Sequence, residues 1–321
     1  MDKQDQAADS ANGRGHGETG NRQFGHVSVL LQPAIEFLAV QRGGTIIDST
    51  IGLGGHSWEI ARRLGAAGRL IGFDKDPAAL QRARERLTSP PAELAGDWPQ
   101  IELVHASFAD VPQHVAPASA DGLLADLGVS SMQLEDAGRG FSFQADGFLD
   151  MRMNTQSGLT AEQVVNRFDE RELADAIYEF GEEGRSRRIA RAIVRARPIR
   201  TTAQLAAVVS AAARPMNRAE RRIHPATKTF QALRILVNHE LDDLRELLSN
   251  DAAPQVLKKG GRLVVISFHS LEDRIVKDAL RGGAHDGLYR VLTKKPATAE
   301  EEEIDRNPRS RSAKLRAAER M

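Results

Sequence analysis

Residues 45–57, TIIDSTIGLGGHS, concentrate the groups in this chain that could do chemistry. β-Branched apolar residues run up to Asp48, Gly52, Gly54 and Gly55 follow, and SWEIARRL (residues 57–64) has helical spacing. Glycine lacks a Cβ and accepts positive φ, so a turn of this kind lets backbone N–H groups approach a ligand at a helix start. About 20 residues further on, the apolar run 69–73 ends in Asp74, a carboxylate placed to accept hydrogen bonds from ribose hydroxyls. Together they predict a nucleoside cofactor at the carboxyl ends of a parallel sheet. The dinucleotide fingerprint wants a third glycine where Ser57 stands. Asp48 would repel a pyrophosphate but suits the ammonium of S-adenosylmethionine. The predicted cofactor is S-adenosylmethionine.

A second carboxylate, Asp126, ends the apolar run 121–126 within ADLGVSS (residues 125–131). Strand ends at the switch point of an open α/β sheet line the ligand crevice, so Asp126 is expected to face the methyl donor. Amino-group methyltransferases often place Asp or Asn, two prolines and an aromatic here, to accept N–H bonds from the target amine. DLGVSS departs from that pattern, and a carboxylate capping the next turn is the alternative reading. Nine histidines form no metal signature. His56, beside the glycine turn, and His269, in SFHSLEDR (residues 267–274), lie where the sheet would build its site.

Arginine crowds one segment: Arg185, Arg187, Arg188, Arg191, Arg195, Arg197 and Arg200, then Arg214, Arg218, Arg221, Arg222 and Lys228. Glu220 is the only acid between 185 and 228. The chain carries 44 basic and 44 acidic residues, so this local excess predicts a footprint for a polyanion. Arg188, Arg191 and Arg195 share one helical face. Residues 306–316 add a second basic stretch.

The elements that must position these groups alternate. Helix 33–40 leads into strand 45–48, helix 56–64, strand 69–74, helix 77–87, strand 101–105 and strand 121–126, a rhythm that predicts a parallel sheet with right-handed crossovers. It stops near residue 134. Only loops and helical patterns follow to about 225, at 160–167, 170–180, 185–197 and 202–213. A long amphipathic helix over 230–248 precedes strand 262–267, with Gly260 and Gly261 marking the turn into it. Residues 288–292 are expected to form an antiparallel edge strand, and residues 300–303 a solvated loop. The organisation expected is a disordered tail (1–23), an α/β domain (24–135 and 229–321), and a helical domain (136–228) inserted between the fourth and fifth strands.

Composition excludes several classes. There is no cysteine, so disulfides, thiolate zinc sites and Cys-held iron–sulfur clusters cannot form. Carbon-5 methylation of a pyrimidine through a cysteine nucleophile is excluded too. The chain is 41% hydrophobic without an apolar run long enough to span a bilayer, and residues 1–25 lack the apolar core of a secretory signal. A soluble protein is expected.

The motifs HVSVLL (26–31), DSTIGLGGHS (48–57), DLGVSS (126–131), RGFSF (139–143), DMRM (150–153), PATKTFQALR (225–234), SFHSLEDRIV (267–276) and NPRSR (307–311) closely resemble the bacterial 16S rRNA cytosine-N4 methyltransferase family, also called MraW or RsmH. The resemblance spans nearly everything from residue 25 onward. It implies a class I S-adenosylmethionine-dependent methyltransferase fold, Rossmann-like with a mostly parallel sheet, carrying an inserted all-helical domain that recognises substrate. It implies a cytoplasmic enzyme that methylates the N4 amine of a decoding-centre cytosine in the 16S rRNA of the small ribosomal subunit. Carried over by motif, the cofactor contacts are Gly54, Gly55, His56, Asp74, Phe108, Asp126 and Gln133. Met132 and Phe148 stand where the family often has proline. Direct in-line transfer to nitrogen agrees with the missing cysteine, and positioning then supplies much of the rate. The cytosine N4 lone pair is delocalised into the ring, and Asp126 is the candidate acceptor that draws it out. Arg185, Arg188, Arg191 and Arg195 are the candidate RNA contacts. A sulfonium carries its own driving force, so neither a metal nor a membrane is called for.

Two rivals stand beside this reading. A nicotinamide oxidoreductase would share the sheet and turn, but neither Tyr178 nor Tyr289 opens a Tyr-x-x-x-Lys pair. A non-catalytic RNA-binding or ribosome-assembly protein with a vestigial cofactor fold would bind RNA without methyl transfer.

Overall fold

The computed structural model describes residues 27–213 and 224–321. The predicted tail 1–23, His26 of the first motif, and Arg214, Arg218, Glu220, Arg221 and Arg222 lie outside the described residues. Along the chain, α1 (Leu31–Leu38), β1 (Thr45–Asp48), α2 (Gly55–Leu64), β2 (Arg69–Asp74), α3 (Pro77–Leu87), β3 (Gln100–His105), α4 (Val111–His114) and β4 (Ala120–Asp126) form the alternating half. Short α5 (Ser131–Glu135) follows, then α6 (Ala161–Arg167), α7 (Glu170–Gly181), α8 (Ser186–Ala196) and α9 (Thr202–Ala212). The α/β pattern resumes through α10 (Thr227–Asn238), α11 (Glu240–Leu247), α12 (Ala253–Val256), β5 (Leu257–Ser267), α13 (Ser270–His285), β6 (Tyr289–Val291), α14 (Glu301–Arg306) and β7 (Lys314–Arg320).

The strands form one seven-stranded sheet in the order β3-β2-β1-β4-β5-β7-β6. Strands β1 to β5 pair in parallel, and β7 runs antiparallel to both of its neighbours. With helices on both faces and the order reversing between β1 and β4, this is the class I methyltransferase architecture, whose ligand crevice opens at the strands' carboxyl ends. Apolar cores pack both faces: one centres on Ile46, Leu70, Leu124 and Val264, the other on Ile47, Ile71, Leu123 and Val265. The alternation of these neighbours is the strand's period of two, with both faces covered. A third core, from Phe141 to Val237, belongs to the helical region.

Four details differ from the sequence expectation. The helix expected over 230–248 is two helices, because His239 sits in the left-handed region (φ 54°) between α10 and α11. Gly260 and Gly261 lie inside β5, where its register with β4 shifts, rather than before it. The acidic run expected as a loop opens α14, and its Glu303 carboxylate accepts the Leu30 N–H at 2.7 Å. The basic tail contains β7, a full strand between β5 and the edge strand β6.

Candidate active site

The glycine turn after β1 takes its shape from left-handed backbone at Gly52 (φ 51°) and Gly54 (φ 74°). A side chain at either position would meet the strain that L-residues suffer there. Gly54 is the N-cap of α2, and Gly55 is its first residue. The turn is stitched to its neighbours: Gly52 N–H donates to the Asp74 carboxylate at 2.9 Å, and Asp126 N–H donates to Thr50 Oγ1 at 2.6 Å. The ends of β1, β2 and β4 are thereby held as one rim.

Over that rim lies a cavity of about 320 Å³, within the range of small-molecule sites. Gly55, His56, Asp74, Phe108, Asp126 and Gln133 all line it. Gly54 does not: it packs against α3, where a Cβ would touch Ala83, Arg86 and Leu87 at 3.6 Å. Asp48 is also absent from the wall. It is 1% exposed, accepts from Ser57 Oγ at 2.6 Å and from Thr50 N–H at 3.3 Å, and so secures the start of α2 instead of meeting an ammonium.

Each lining residue is held from behind. Asp74 accepts from Gly52 and Asp76 N–H groups, yet burial pushes its carboxyl up to about 6. Its oxygens retain lone pairs for ribose hydroxyls. Phe108 starts a 3-10 turn capped by Ser107, whose hydroxyl donates to Asp243 at 2.5 Å. Gln133 has both ends engaged: Oε1 accepts from Ser130 N–H at 2.9 Å, and Nε2 donates to Asp76 at 2.8 Å. Arg139 reaches the same Asp76 oxygen at 2.9 Å. Gln133 thus braces the α5 loop against α3.

Asp126 stands apart. Its Oδ2 lies 3.5 Å from His56 Nδ1, while His56 Nε2 donates to the Val29 carbonyl at 3.0 Å. Its Oδ1 is buried and has no hydrogen-bond partner among the described residues. The carboxylate does not cap the following turn; Ser130 does that for α5. Burial raises the Asp126 carboxyl well above its ordinary value, and the nearby carboxylates of Asp48 and Glu272 raise it further. Asp48 is itself raised to about 6, chiefly by burial. The side chain is 23% exposed and lines the cavity, so its accessible face is what a polar N–H ligand group would meet.

The β5 side of the cavity contains groups that had no role in the sequence reading. Phe268 and Glu272 beyond β5 line it there, and Arg234 of α10, Glu240 of α11, Lys75 after β2, Met153 and Arg309 complete the wall. Arg234 grips Glu240 through two bonds of 2.8 Å. Both PATKTFQALR and SFHSLEDRIV were conspicuous as motifs, and Arg234 and Glu272 are where they reach the cavity. His269 stays behind the wall, 3.1 Å from Glu272 and capping α13.

The arginine segment is more opposed in space than in sequence. Arg191 lies 3.2 Å from Glu170, and Arg185 lies 3.1 Å from Glu183, acids that precede the segment. Arg197 is spent on the backbone, donating to the carbonyls of Val165 and Phe168. Arg187, Arg188 and Arg195 remain exposed on α8. Ile189, Ala190 and Ile193 bury its opposite face. No group of acids and histidines able to hold a metal occurs among the described residues, and no described helix is long and apolar enough to cross a membrane.

Comparison with known proteins agrees with this architecture. Residues 23–321 match the model of the MraW methylase family. A protein of Koribacter versatilis named ribosomal RNA small subunit methyltransferase H is 71% identical over 320 residues, covering 100% of both chains. Proteins of the same name from Acidobacterium capsulatum and Nostoc punctiforme are 65% and 50% identical, covering 92% and 93% of this chain and 98% and 95% of their own lengths.

Proposed function

The chain belongs to the MraW methylase family, and from that premise we propose that it methylates the N4 amine of a decoding-centre cytosine in 16S rRNA. S-adenosylmethionine is the methyl donor, and when bound it supplies an electrophilic methyl group on a sulfonium. The cavity fits it: a left-handed glycine turn, the Asp74 carboxylate at the end of β2, the Phe108 ring and the Asp126 carboxylate at the end of β4 are the groups such a molecule and its amine substrate would use.

The observation that carries the proposal is the Asp126 carboxylate at the end of β4, which lines the cavity with its side chain 23% exposed. There it accepts an N4–H bond, turns the nitrogen lone pair toward the methyl, and takes the proton that N4 loses as the N–C bond forms. A carboxyl raised by burial is a stronger base than an ordinary aspartate, which favours that transfer. His56 Nδ1 lies beside the carboxylate, 3.5 Å from Asp126 Oδ2. Exposed Arg188 and Arg195, with Arg185 and Arg191 beside them, serve the RNA backbone, and the helical region 136–228 acts as the RNA-recognition domain.

The test is transfer from labelled S-adenosylmethionine to small subunits lacking the modification, to naked 16S RNA and to duplex DNA. Nucleoside digestion is expected to return the label as N4-methylcytidine from the subunit. Label on ribose or carbon 5 would refute the assignment of the atom. No label, with cofactor binding confirmed by calorimetry, would favour the non-catalytic RNA-binding reading.

A further inference from the structure

Among the described residues that line the cavity, only Met153 belongs to the helical region 136–228. The same side chain packs against the helical core. The backbone that delivers it is strained. Met151, fully buried, sits in the left-handed region (φ 63°), which a residue with a side chain rarely adopts. Such a conformation persists only where its surroundings over-determine it, and it gathers at active sites and ligand clamps.

Two side chains hold this segment in place. Asn238, buried at the end of α10, accepts the Met153 N–H through Oδ1 at 2.7 Å and donates through Nδ2 to the Met151 carbonyl at 2.7 Å. An N–H to one atom and a carbonyl to the other fix which way the amide faces. Arg139 adds a second hold, donating to the carbonyls of Arg152 at 2.9 Å and Met153 at 3.1 Å. Both anchors lead back to the end of β2. The Asn238 carbonyl accepts from Lys75 Nζ at 2.8 Å, and Arg139 lies 2.9 Å from the Asp76 carboxylate. Asp76 N–H donates in turn to the Asp74 carboxylate, the ribose acceptor, at 2.9 Å. Met153 is thus set by two routes from the donor's seat, although its side chain belongs to the other body.

We propose that Met153 is the helical region's contact with the target base, and that Asn238 is the residue that positions it. This rests on the cytosine reading above and adds two residues to it. The donor contacts carried over by motif lie between residues 54 and 133, and none comes from the helical region. A base turned out of its stack presents a flat aromatic face. A thioether suits that face, because sulfur packs favourably against aromatic rings and the unbranched chain adapts to gaps. Where positioning supplies much of the rate, a displacement of the base by about 1 Å costs far more than the lost contact itself. Holding Met153 from the donor's seat sets base and methyl against a common reference.

The experiment measures kcat for methyl transfer to small subunits lacking the modification, at saturating donor and subunit, beside the calorimetric Kd for S-adenosylhomocysteine. Met153→Ala is expected to lower kcat about tenfold or more, with that Kd within about twofold of wild type. Met153→Leu, which keeps the apolar volume, is expected to hold kcat within about threefold. Asn238→Ala should reproduce the loss seen in Met153→Ala. The double variant should lose little more than either single one, because Asn238 acts through Met153 and the two effects are not additive. Met153→Ala carries the test alone if Asn238→Ala does not fold. A Met153→Ala protein with wild-type kcat would overturn the proposal. So would a raised Kd with kcat kept, because Met153 would then be a donor contact. Losses that multiply in the double variant would overturn the role of Asn238 and leave it a structural residue. Methylation of a cytosine by wild type, measured first, tells failure of this inference from failure of the function it rests on.

Discussion

The two walls of the cavity are built from different materials. On the β1–β3 side the ligand surface is largely backbone: a glycine turn, strand ends, and carboxylates already committed to neighbouring N–H groups. Where α10, α11 and the end of β5 meet it, the wall is side chain: half-buried Arg234 and buried Glu240 and Glu272. A wall of backbone is rigid and indifferent to the rest of the molecule, which suits a ligand every related enzyme shares. A wall of long charged side chains depends on helices brought from elsewhere, and it can encode a choice. Asp126 sits where the two meet.

If that division is correct, altering the meeting point should stop chemistry without emptying the donor side. Asp126→Asn is expected to lower the rate of methyl transfer by about 10²–10⁴, the usual worth of a positioned proton acceptor. Calorimetry should find donor affinity within a few-fold of wild type. Equal losses in both would merge the two walls into one.

Asp48→Asn tests the support behind the rim. The folded value of about 6 against 3.8 means that the stabilising contribution of this carboxyl is complete at low pH and is lost as pH rises through 6. Removing it should flatten the fall in stability between about pH 4 and 6, read by denaturant titration. Because Asp48 also raises Asp126, the acid limb of methyl transfer should move to lower pH. An unmoved limb would uncouple the two residues.

A smaller effect belongs to Asp74→Asn. Weakened acceptance from ribose hydroxyls should raise the donor Kd about tenfold, with kcat at saturation kept. A fall in kcat instead would place Asp74 in the chemistry.

The smallest expected effect lies outside the cavity. Arg188→Ala should weaken RNA binding a few-fold for all sequences and reduce the salt slope by about one. Arg197→Ala, which frees the Val165 and Phe168 carbonyls, should lower stability and leave that slope alone. The reverse result would exchange their roles.

The same contrast governs what was legible in the sequence. Strands β1, β2 and β4 are short apolar runs ended by Asp, and their local pattern is also their tertiary role. Strand β7 is written KLRAAER, charged at Lys314, Arg316, Glu319 and Arg320 and helical in composition. It becomes an internal strand because its charges meet partners only in the fold: Arg316 and Lys314 on Asp273, and Glu319 on Arg262 and Arg290. The break at His239 carries neither glycine nor proline, so nothing local announces it. Arg234 and Glu272 were visible inside long motifs, but their chemistry exists only once α10 and α13 converge on the end of β5. Arg185 and Arg191 erred the other way, reading as unopposed because Glu183 and Glu170 lie just before the counted stretch.

The break at His239 has a mechanical meaning. Phe230, Leu233 and Val237 before it belong to the helical core, while Leu244 and Leu247 after it belong to the sheet's core. The Arg234–Glu240 pair straddles the joint, with one partner anchored in each body. It is therefore a clasp as well as a wall: bending at residue 239 far enough to widen the mouth must stretch the same two bonds that fix the guanidinium.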